Sequence, residues 1–253
     1  MRFFPRPPDN TPVCDQLAYA EPEVPFGELP ANQAALEAAL DAAAPDGFST
    51  PMYPALGGAI LKGIELAEAE PDVVSAVLLV TDGQPQGPAA SCGGVDPTDP
   101  AQVAALAAIR AKFKPPVRTY VVGLPGVDQT SANLIAKEGG TDSAILVSAS
   151  DVEKQFREAL GKVRGDVLPC RYELPTEILE GEVTLSEVNV QISPSDGEPY
   201  IVPRNDDCDG DGWHYEGTKE NMEIVLCPTT CEALKSDPGV AIRVLLGCAT
   251  KTK

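Results

Sequence analysis

Apolar runs rich in β-branched residues alternate with segments of helical periodicity between residues 54 and 165. VVSAVLLVT at 73–81 is almost continuously apolar, and VRTYVVGL at 117–124 and AILVSA at 144–149 repeat the pattern. Helices are predicted at 54–69, 101–113, 131–138 and 151–165. Such alternation predicts a parallel sheet whose strands are covered by helices on both faces.

The segments that flank this pattern carry weaker signals. Residues 31–43 predict a helix, with Leu36 and Leu40 on one face, and MRFF at 1–4 and EVPFGEL at 23–29 predict short strands. Ser150 and Glu153 match a capping box at the start of helix 151–165.

The residue pattern changes after Gly165, where prolines, glycines and acidic turns replace helical periodicity. Strands are predicted at 187–193, 198–203, 212–215, 222–226 and 240–246, with one or two helical turns within 228–239. Trp213 is expected to anchor the core of this segment. We therefore predict an α/β domain at 1–165 and a small cysteine-rich, β-rich module at 166–253.

The seven cysteines do not show the paired spacing of a zinc site, and four of them lie within the last 46 residues. This pattern is typical of disulfides in an exported protein. Cys14 and Cys92 both lie in loops of the sheet domain, and we predict that they pair. The other five are expected to pin the C-terminal module, in a connectivity that the sequence does not determine.

No signal peptide is visible at the start of the chain, which begins MRFFPRPPDN. Two explanations remain open: either Met1 is not the true start and the export signal lies upstream, or the thiols stay reduced in a cytosolic protein. The first explanation places the protein outside the cell or in the cell envelope.

The formal net charge of −19 argues against binding to nucleic acid or to anionic membranes, and no segment approaches the roughly 20 apolar residues of a membrane helix. The sequence also lacks GxSxG, GxxxxGK[ST] and GxGxxG motifs. A thiol nucleophile at Cys92 would need His214, which lies in the other predicted module. A non-enzymatic protein is therefore expected.

Asp82 follows the predicted strand 73–81, and Thr50 lies in the loop before the helix that leads into that strand. Ligands of open parallel sheets bind at the carboxyl ends of the strands. A carboxylate and a hydroxyl on adjacent loops suit a hard divalent cation, Mg²⁺ first. A simple strand-end turn at Asp82 and helix capping by Thr50 are the alternatives.

A second acidic stretch, DDCDGDG, places Asp207, Asp209 and Asp211 at the spacing that begins a calcium loop. The twelfth position of such a loop needs a bidentate glutamate, but Thr218 stands there. An acidic turn pinned by a disulfide at Cys208 is the favoured interpretation, and calcium binding is the weaker one.

Four segments, in this order, resemble the von Willebrand factor A domain: STPMYPAL, VLLVTDGQP, RTYVVGL with ANLIAKEGG, and AILVSASDVEKQFREAL. The resemblance covers roughly residues 1–165. The Cys14 loop and the cysteine-rich tail are similar to a subgroup found in exported proteins, often lipoproteins, of myxobacteria. The resemblance implies a doubly wound, mostly parallel sheet with a metal-ion-dependent adhesion site, in which Thr50 and Asp82 occupy ligand positions.

One part of the family pattern is missing from this chain. The Asp-x-Ser-x-Ser loop that follows the family's first strand occurs nowhere in the sequence. The expected sheet therefore lacks its first strand, either because the chain is part of a longer protein or because the domain is degenerate.

The resemblance implies a protein-binding, adhesion-type function. In its complete form such a domain uses Mg²⁺, or Mn²⁺ or Ca²⁺, to bind a protein ligand that presents a carboxylate, whereas this chain alone can also lack metal. A metal-independent structural protein of the cell envelope and a small hydrolase on a doubly wound sheet are the alternatives.

Overall fold

The computed structural model describes residues 1–4, 14–43, 49–70, 74–87, 92–112, 114, 116–174, 178, 184–218, 222–237 and 240–253. The chain divides into two compact units, Met1–Phe156 and Arg157–Lys253. This division falls between Phe156 and Arg157, inside a helix, whereas the sequence pattern places a boundary after Gly165.

The N-terminal unit contains a three-stranded parallel sheet. Its strands are β1 (Ala76–Thr81), β2 (Arg118–Gly123) and β3 (Ile145–Leu146), in the order β1-β2-β3. Its helices are α1 (Leu17–Ala20), α2 (Gln33–Ala42), α3 (Met52–Ala69), α4 (Pro100–Ala111), α5 (Gln129–Glu138) and the first residues of α6 (Val152–Val167). The predicted α/β class with a parallel sheet is confirmed, and the doubly wound arrangement remains a prediction.

Helices α3, α4 and α5 supply the main apolar core of this unit together with one face of the sheet. Val77 and Leu79 of β1 and Val121 of β2 belong to the same buried cluster as residues from all three helices. Small residues on α4 and α5, such as Ala104 and Ala136, are almost fully buried because they let the helices approach closely.

The prediction that strand 73–81 is covered on both faces is wrong for β1. Its side chains alternate, with Val77 and Leu79 buried, whereas Leu78 is 37% exposed. β2 differs because Tyr120 and Val122 are buried as well as Val121. A continuous apolar run therefore identified the strand correctly but did not reveal what covers it.

Three local expectations also need correction. Residues 1–4 and 23–29 form no strand, although Met1 and Val24 exchange two backbone hydrogen bonds of 3.0 and 3.4 Å. Helix α2 forms, but it buries no residue, and Leu40 is exposed. At the start of α6 the side chain of Asp151, not Ser150, accepts a hydrogen bond from the Lys154 amide at 3.3 Å.

The C-terminal unit contains two antiparallel sheets of three strands. One has the order β4-β8-β7 and the other β6-β5-β9. The strands are β4 (Arg171–Glu173), β5 (Val188–Ser193), β6 (Tyr200–Val202), β7 (Trp213–Glu216), β8 (Glu223–Leu226) and β9 (Ala241–Leu246), and helix α7 spans Pro228–Ser236. The sequence predicted five of these strands and missed β4.

Trp213 anchors the core of this unit, as expected. Its side chain is fully buried among residues of both sheets, and its indole N–H donates a 3.1 Å hydrogen bond to the Val202 carbonyl oxygen. Tyr215 meets the Trp213 ring edge-on, with the ring centroids 5.1 Å apart.

Three disulfides link Cys14 to Cys92, Cys170 to Cys231 and Cys208 to Cys227, and Cys248 is a free, exposed thiol. The first bond joins the two loop cysteines of the N-terminal unit, and the other two lie within the C-terminal unit. Such a set indicates an oxidising environment. Within the described ranges, no helix is long and apolar enough to cross a membrane.

Candidate functional site

The loop that contains Thr50 lies beside the chain that follows Asp82. The Thr50 carbonyl oxygen accepts a hydrogen bond from the Gln86 amide at 2.8 Å. The Thr50 hydroxyl oxygen lies 3.3 Å from the position that a β-carbon on Gly83 would occupy. The structure therefore brings together the two loops that carry the predicted metal ligands, at the carboxyl end of β1.

A third loop, which follows β2, completes this edge of the sheet. The Leu124 amide donates to the Thr81 carbonyl oxygen at 2.8 Å, so the turn after β2 lies against the end of β1. Gly126 has a φ of +111°, and a β-carbon there would lie 3.0 Å from the Asp82 carbonyl oxygen. Only glycine fits this position without strain.

The other aspartates near this edge already have structural roles. Asp99 and Asp128 are the N-caps of α4 and α5, and Asp151 accepts from the first turn of α6. Asp96 binds the amide and hydroxyl of Thr98. Hydrogen bonds from Ser131 lower the pKa of Asp128, so this carboxylate is held in its charged, capping form.

Asp82 differs from these residues. It is exposed, it caps no helix, and its carboxylate makes no hydrogen bond or ion pair with any residue that the structure describes. Thr50 does not cap helix α3 either, because Pro51 occupies the N-cap position. Helix capping, the alternative role of Thr50, is therefore not observed, whereas the bend at Asp82 and Gly83 is compatible with the strand-end turn that is the alternative for Asp82.

The side chains of Thr50 and Asp82 are chemically suited to bind a hard cation. A threonine hydroxyl and an aspartate carboxylate are both oxygen ligands of the type that Mg²⁺ prefers. Two side chains do not fill an octahedral shell, and no cluster of three acidic groups within reach of one ion includes Asp82 among the described residues. The remaining positions would fall to water and to a carboxylate from outside this site.

The carboxylates of the three aspartates of the acidic turn do not lie within reach of one ion in the described structure. Asp209 instead forms a 2.7 Å ion pair with Lys253, and this contact lowers the pKa of its carboxyl group. Asp207 and Asp211 are exposed. Cys208 ties this turn to Cys227, as expected for a disulfide-pinned acidic turn.

A cluster of two sulfurs and one imidazole lies in the C-terminal unit. The ligand atoms of Cys208, His214 and Cys227 all lie within 4.8 Å of one another. Nδ1 of His214 is 3.3 Å from the Cys208 sulfur. We call these three residues the Cys–His cluster.

Sheet geometry explains how the cluster forms. His214 pairs with Val225 across the β7–β8 ladder, and the Cys227 amide extends that ladder by donating to the Gly212 carbonyl oxygen at 2.9 Å. Because side chains alternate along a strand, His214 and Cys227 point to the same face. Cys208 then reaches this face from the acidic turn.

Sequence reasoning missed this cluster, since its spacing is C-x5-H-x12-C and matches no common zinc motif. The third ligand, Cys227, follows β8 and is the N-cap of α7, so only the pairing of β7 with β8 reveals it. A signal was nevertheless available, because the only histidine of the chain lies six residues after a cysteine within an acidic turn.

Comparison with protein-family models and with curated proteins found no match to this chain.

Proposed function

We propose that this chain is a non-enzymatic protein-binding module, whose binding surface is the carboxyl edge of the β1-β2-β3 sheet. One observation carries the proposal: Asp82 is exposed next to the contact between Gly83 and the Thr50 loop, and its carboxylate has no partner among the described residues, whereas Asp99 and Asp128 cap helices. In the proposed complex, a divalent cation, Mg²⁺ first, binds Asp82 and Thr50 and is completed by a carboxylate of a protein ligand.

The resemblance to the von Willebrand factor A domain supports this assignment. In the proposal, Thr50 and Asp82 bind and orient the cation, and the turn around Gly126 holds the Asp82 backbone in place. The three disulfides support a location outside the cell or in the cell envelope. Cys92 is bonded to Cys14, so it offers no free thiol for nucleophilic chemistry.

Calorimetric titration of the chain with Mg²⁺ or Mn²⁺ tests the proposal. Asp82→Ala should abolish the specific heat of binding. Asp142→Ala is the matched control, because it removes the same charge from an exposed residue between α5 and β3, at the opposite edge of the sheet. Equal heats in wild type and Asp82→Ala would overturn the proposal, since a strongly acidic surface alone attracts cations.

A second candidate function is a metal-independent structural role in the cell envelope. The observation that favours it is the small number of ligands, because Thr50 and Asp82 are only two side chains and no cluster of three metal-ligating groups in the described part of the chain includes Asp82. This role predicts that wild type, Asp82→Ala and Asp142→Ala give indistinguishable heats. The same titration therefore separates the two functions.

A further inference from the structure

The Cys–His cluster (Cys208, His214 and Cys227) has the composition of a site for a soft or borderline metal ion. Two sulfurs and one imidazole nitrogen are typical ligands of Zn²⁺, whereas Mg²⁺ and Ca²⁺ require oxygen. The Cys208 sulfur and His214 Nδ1 are 3.3 Å apart. Tetrahedral zinc with ordinary bond lengths places sulfur and nitrogen ligands about 3.5 Å apart.

The two sulfurs are bonded to each other, and this bond excludes a metal ion. We propose that the Cys–His cluster is a redox-gated zinc site, which binds Zn²⁺ once the Cys208–Cys227 disulfide is reduced. Cys208, Cys227 and His214 Nδ1 supply three ligands. The fourth position falls to water or to an exogenous ligand, because Cys208 and His214 are partly exposed.

The chemistry of this switch balances with a dithiol reductant. The S–S bond between Cys208 and Cys227 breaks as the reductant transfers two electrons and two protons, and the reductant's own thiols become a disulfide. Zn²⁺ binding then releases both thiol protons to solvent and leaves two thiolates. The imidazole binds in its neutral form, with its other nitrogen protonated.

The framework around the cluster does not depend on the disulfide alone. The Asn205 amide donates to the Trp213 carbonyl oxygen at 2.7 Å, and the Gly212 amide donates to the Thr230 hydroxyl oxygen at 2.8 Å. These two bonds fasten both ends of the acidic turn to β7 and α7. Cys208 therefore stays close to Cys227 after reduction, and only the sulfurs have to separate.

The charge of the surroundings favours a cation. Asp206, Asp207, Asp209 and Asp211 belong to the turn that carries Cys208. Asp206 and Asp209 are paired with Arg204 and Lys253, whereas Asp207 and Asp211 are exposed. This turn raises the local concentration of divalent cations at the mouth of the cluster. The Cys–His cluster is distinct from the candidate site at Asp82, because it consists of other residues, lies in the other unit and prefers a different metal ion.

Cobalt titration of the full chain tests the site. The protein is reduced with dithiothreitol, freed of reductant without oxygen and titrated with Co²⁺, whose thiolate charge-transfer and tetrahedral ligand-field bands report the ligands. One equivalent should bind to wild type, Zn²⁺ should displace it, and His214→Gln should weaken binding at least tenfold. Oxidised protein should show no bands. Equal binding by His214→Gln, or bands in oxidised protein, would overturn the proposal.

A triple variant, Cys14→Ser/Cys92→Ser/Cys248→Ser, controls for cobalt binding by these three thiols. It keeps the four cysteines of the two C-terminal disulfides and should bind Co²⁺ as wild type does. Circular dichroism shows whether reduction alone unfolds the chain. If it does, metal should restore the fold in wild type and not in His214→Gln, since binding and folding are then coupled. Restoration in both proteins would contradict the assignment.

A second measurement uses the fact that His214 is the only histidine of the chain. Its ring resonances in a proton–carbon NMR spectrum should shift on addition of Zn²⁺ to reduced protein and stay unchanged in oxidised protein. Unchanged resonances in reduced, zinc-loaded protein would show that the imidazole is not a ligand.

Discussion

Gly58 of helix α3 lies directly against the backbone of Tyr19 in α1. A β-carbon on Gly58 would stand 2.6 Å from the Tyr19 carbonyl carbon and 2.6 Å from the Gln16 carbonyl oxygen. Because both neighbours are backbone atoms, neither can rotate away. Glycine is required here so that the two helices can touch.

Substitution of this glycine should therefore separate α1 from α3. Gly58→Ala is expected to lower the free energy of unfolding by about 1–3 kcal/mol, measured by urea denaturation. Gly57→Ala is the matched control, because the three atoms nearest its β-carbon, at 2.4–2.7 Å, all belong to the Gln16 side chain, which can rotate away. Helix propensity should make that change neutral, or stabilising by up to about 1 kcal/mol. Equal losses in the two variants would show that the helices do not meet in this way.

Alanine substitutions at Leu78 and Leu79 test whether β1 is buried on one face only. Leu79 is 4% exposed and Leu78 is 37% exposed, on opposite faces of the same strand. Leu79→Ala should cost about 2–5 kcal/mol of unfolding free energy because it leaves a cavity. Leu78→Ala should cost clearly less. A similar cost at both positions would mean that the second face is also covered, as the continuous apolar run suggested.

Tyr172 and Tyr215 form a third matched pair, in the C-terminal unit. The Tyr172 hydroxyl is buried without a hydrogen-bond partner in the described part of the chain, whereas the Tyr215 hydroxyl donates to the Leu185 carbonyl oxygen at 3.0 Å. At pH 7, Tyr172→Phe should be neutral or stabilising, and Tyr215→Phe should cost about 0.5–1.5 kcal/mol. A larger loss in Tyr172→Phe would show that its hydroxyl has a partner.

The same tyrosines predict a loss of stability in alkali. Burial raises the pKa of Tyr172 and of Tyr215 to about 12, from the ordinary value of 10.0. Above pH 10 the unfolded chain ionises both phenols while the folded chain keeps them neutral, so the unfolded state binds fewer protons. The free energy of unfolding should therefore fall between pH 10 and about 12. Tyr172→Phe should make this fall smaller, and an unchanged profile would contradict the assignment.

The strands were predictable from sequence because β-branched runs at strand length are a strong local signal. Which segments cover each strand depends on parts of the chain that are distant in sequence. Leu78 is apolar and yet exposed, so residue type alone does not show whether a side chain is buried. The pairing of Cys14 with Cys92 was accessible, because both lie in loops of one predicted domain. The other two bonds depend on a fold that residue order does not determine.

The two candidate sites differ in how far they could be predicted from the sequence. The placement of the Asp82 and Thr50 loops at one edge of the sheet could be predicted, because ligands of parallel sheets bind at the carboxyl ends of the strands, a rule that needs only the order of elements. The Cys–His cluster could be anticipated only for Cys208 and His214, which are close in sequence, because the pairing of β7 with β8 brings Cys227 to the same face as His214. Register is set by pairing partners, and β8 could not be assigned to β7 from the sequence alone.

NMR line broadening by Mn²⁺ tests the central claim, that the sheet edge at Asp82 binds a divalent cation, most directly. Paramagnetic Mn²⁺ broadens the signals of nearby amides. At low Mn²⁺ the amides of Thr50, Gly83 and Gly126 should broaden first, and the effect should disappear in Asp82→Ala. Broadening centred instead on the acidic turn at 206–211, or unchanged broadening at the sheet edge in Asp82→Ala, would contradict the account.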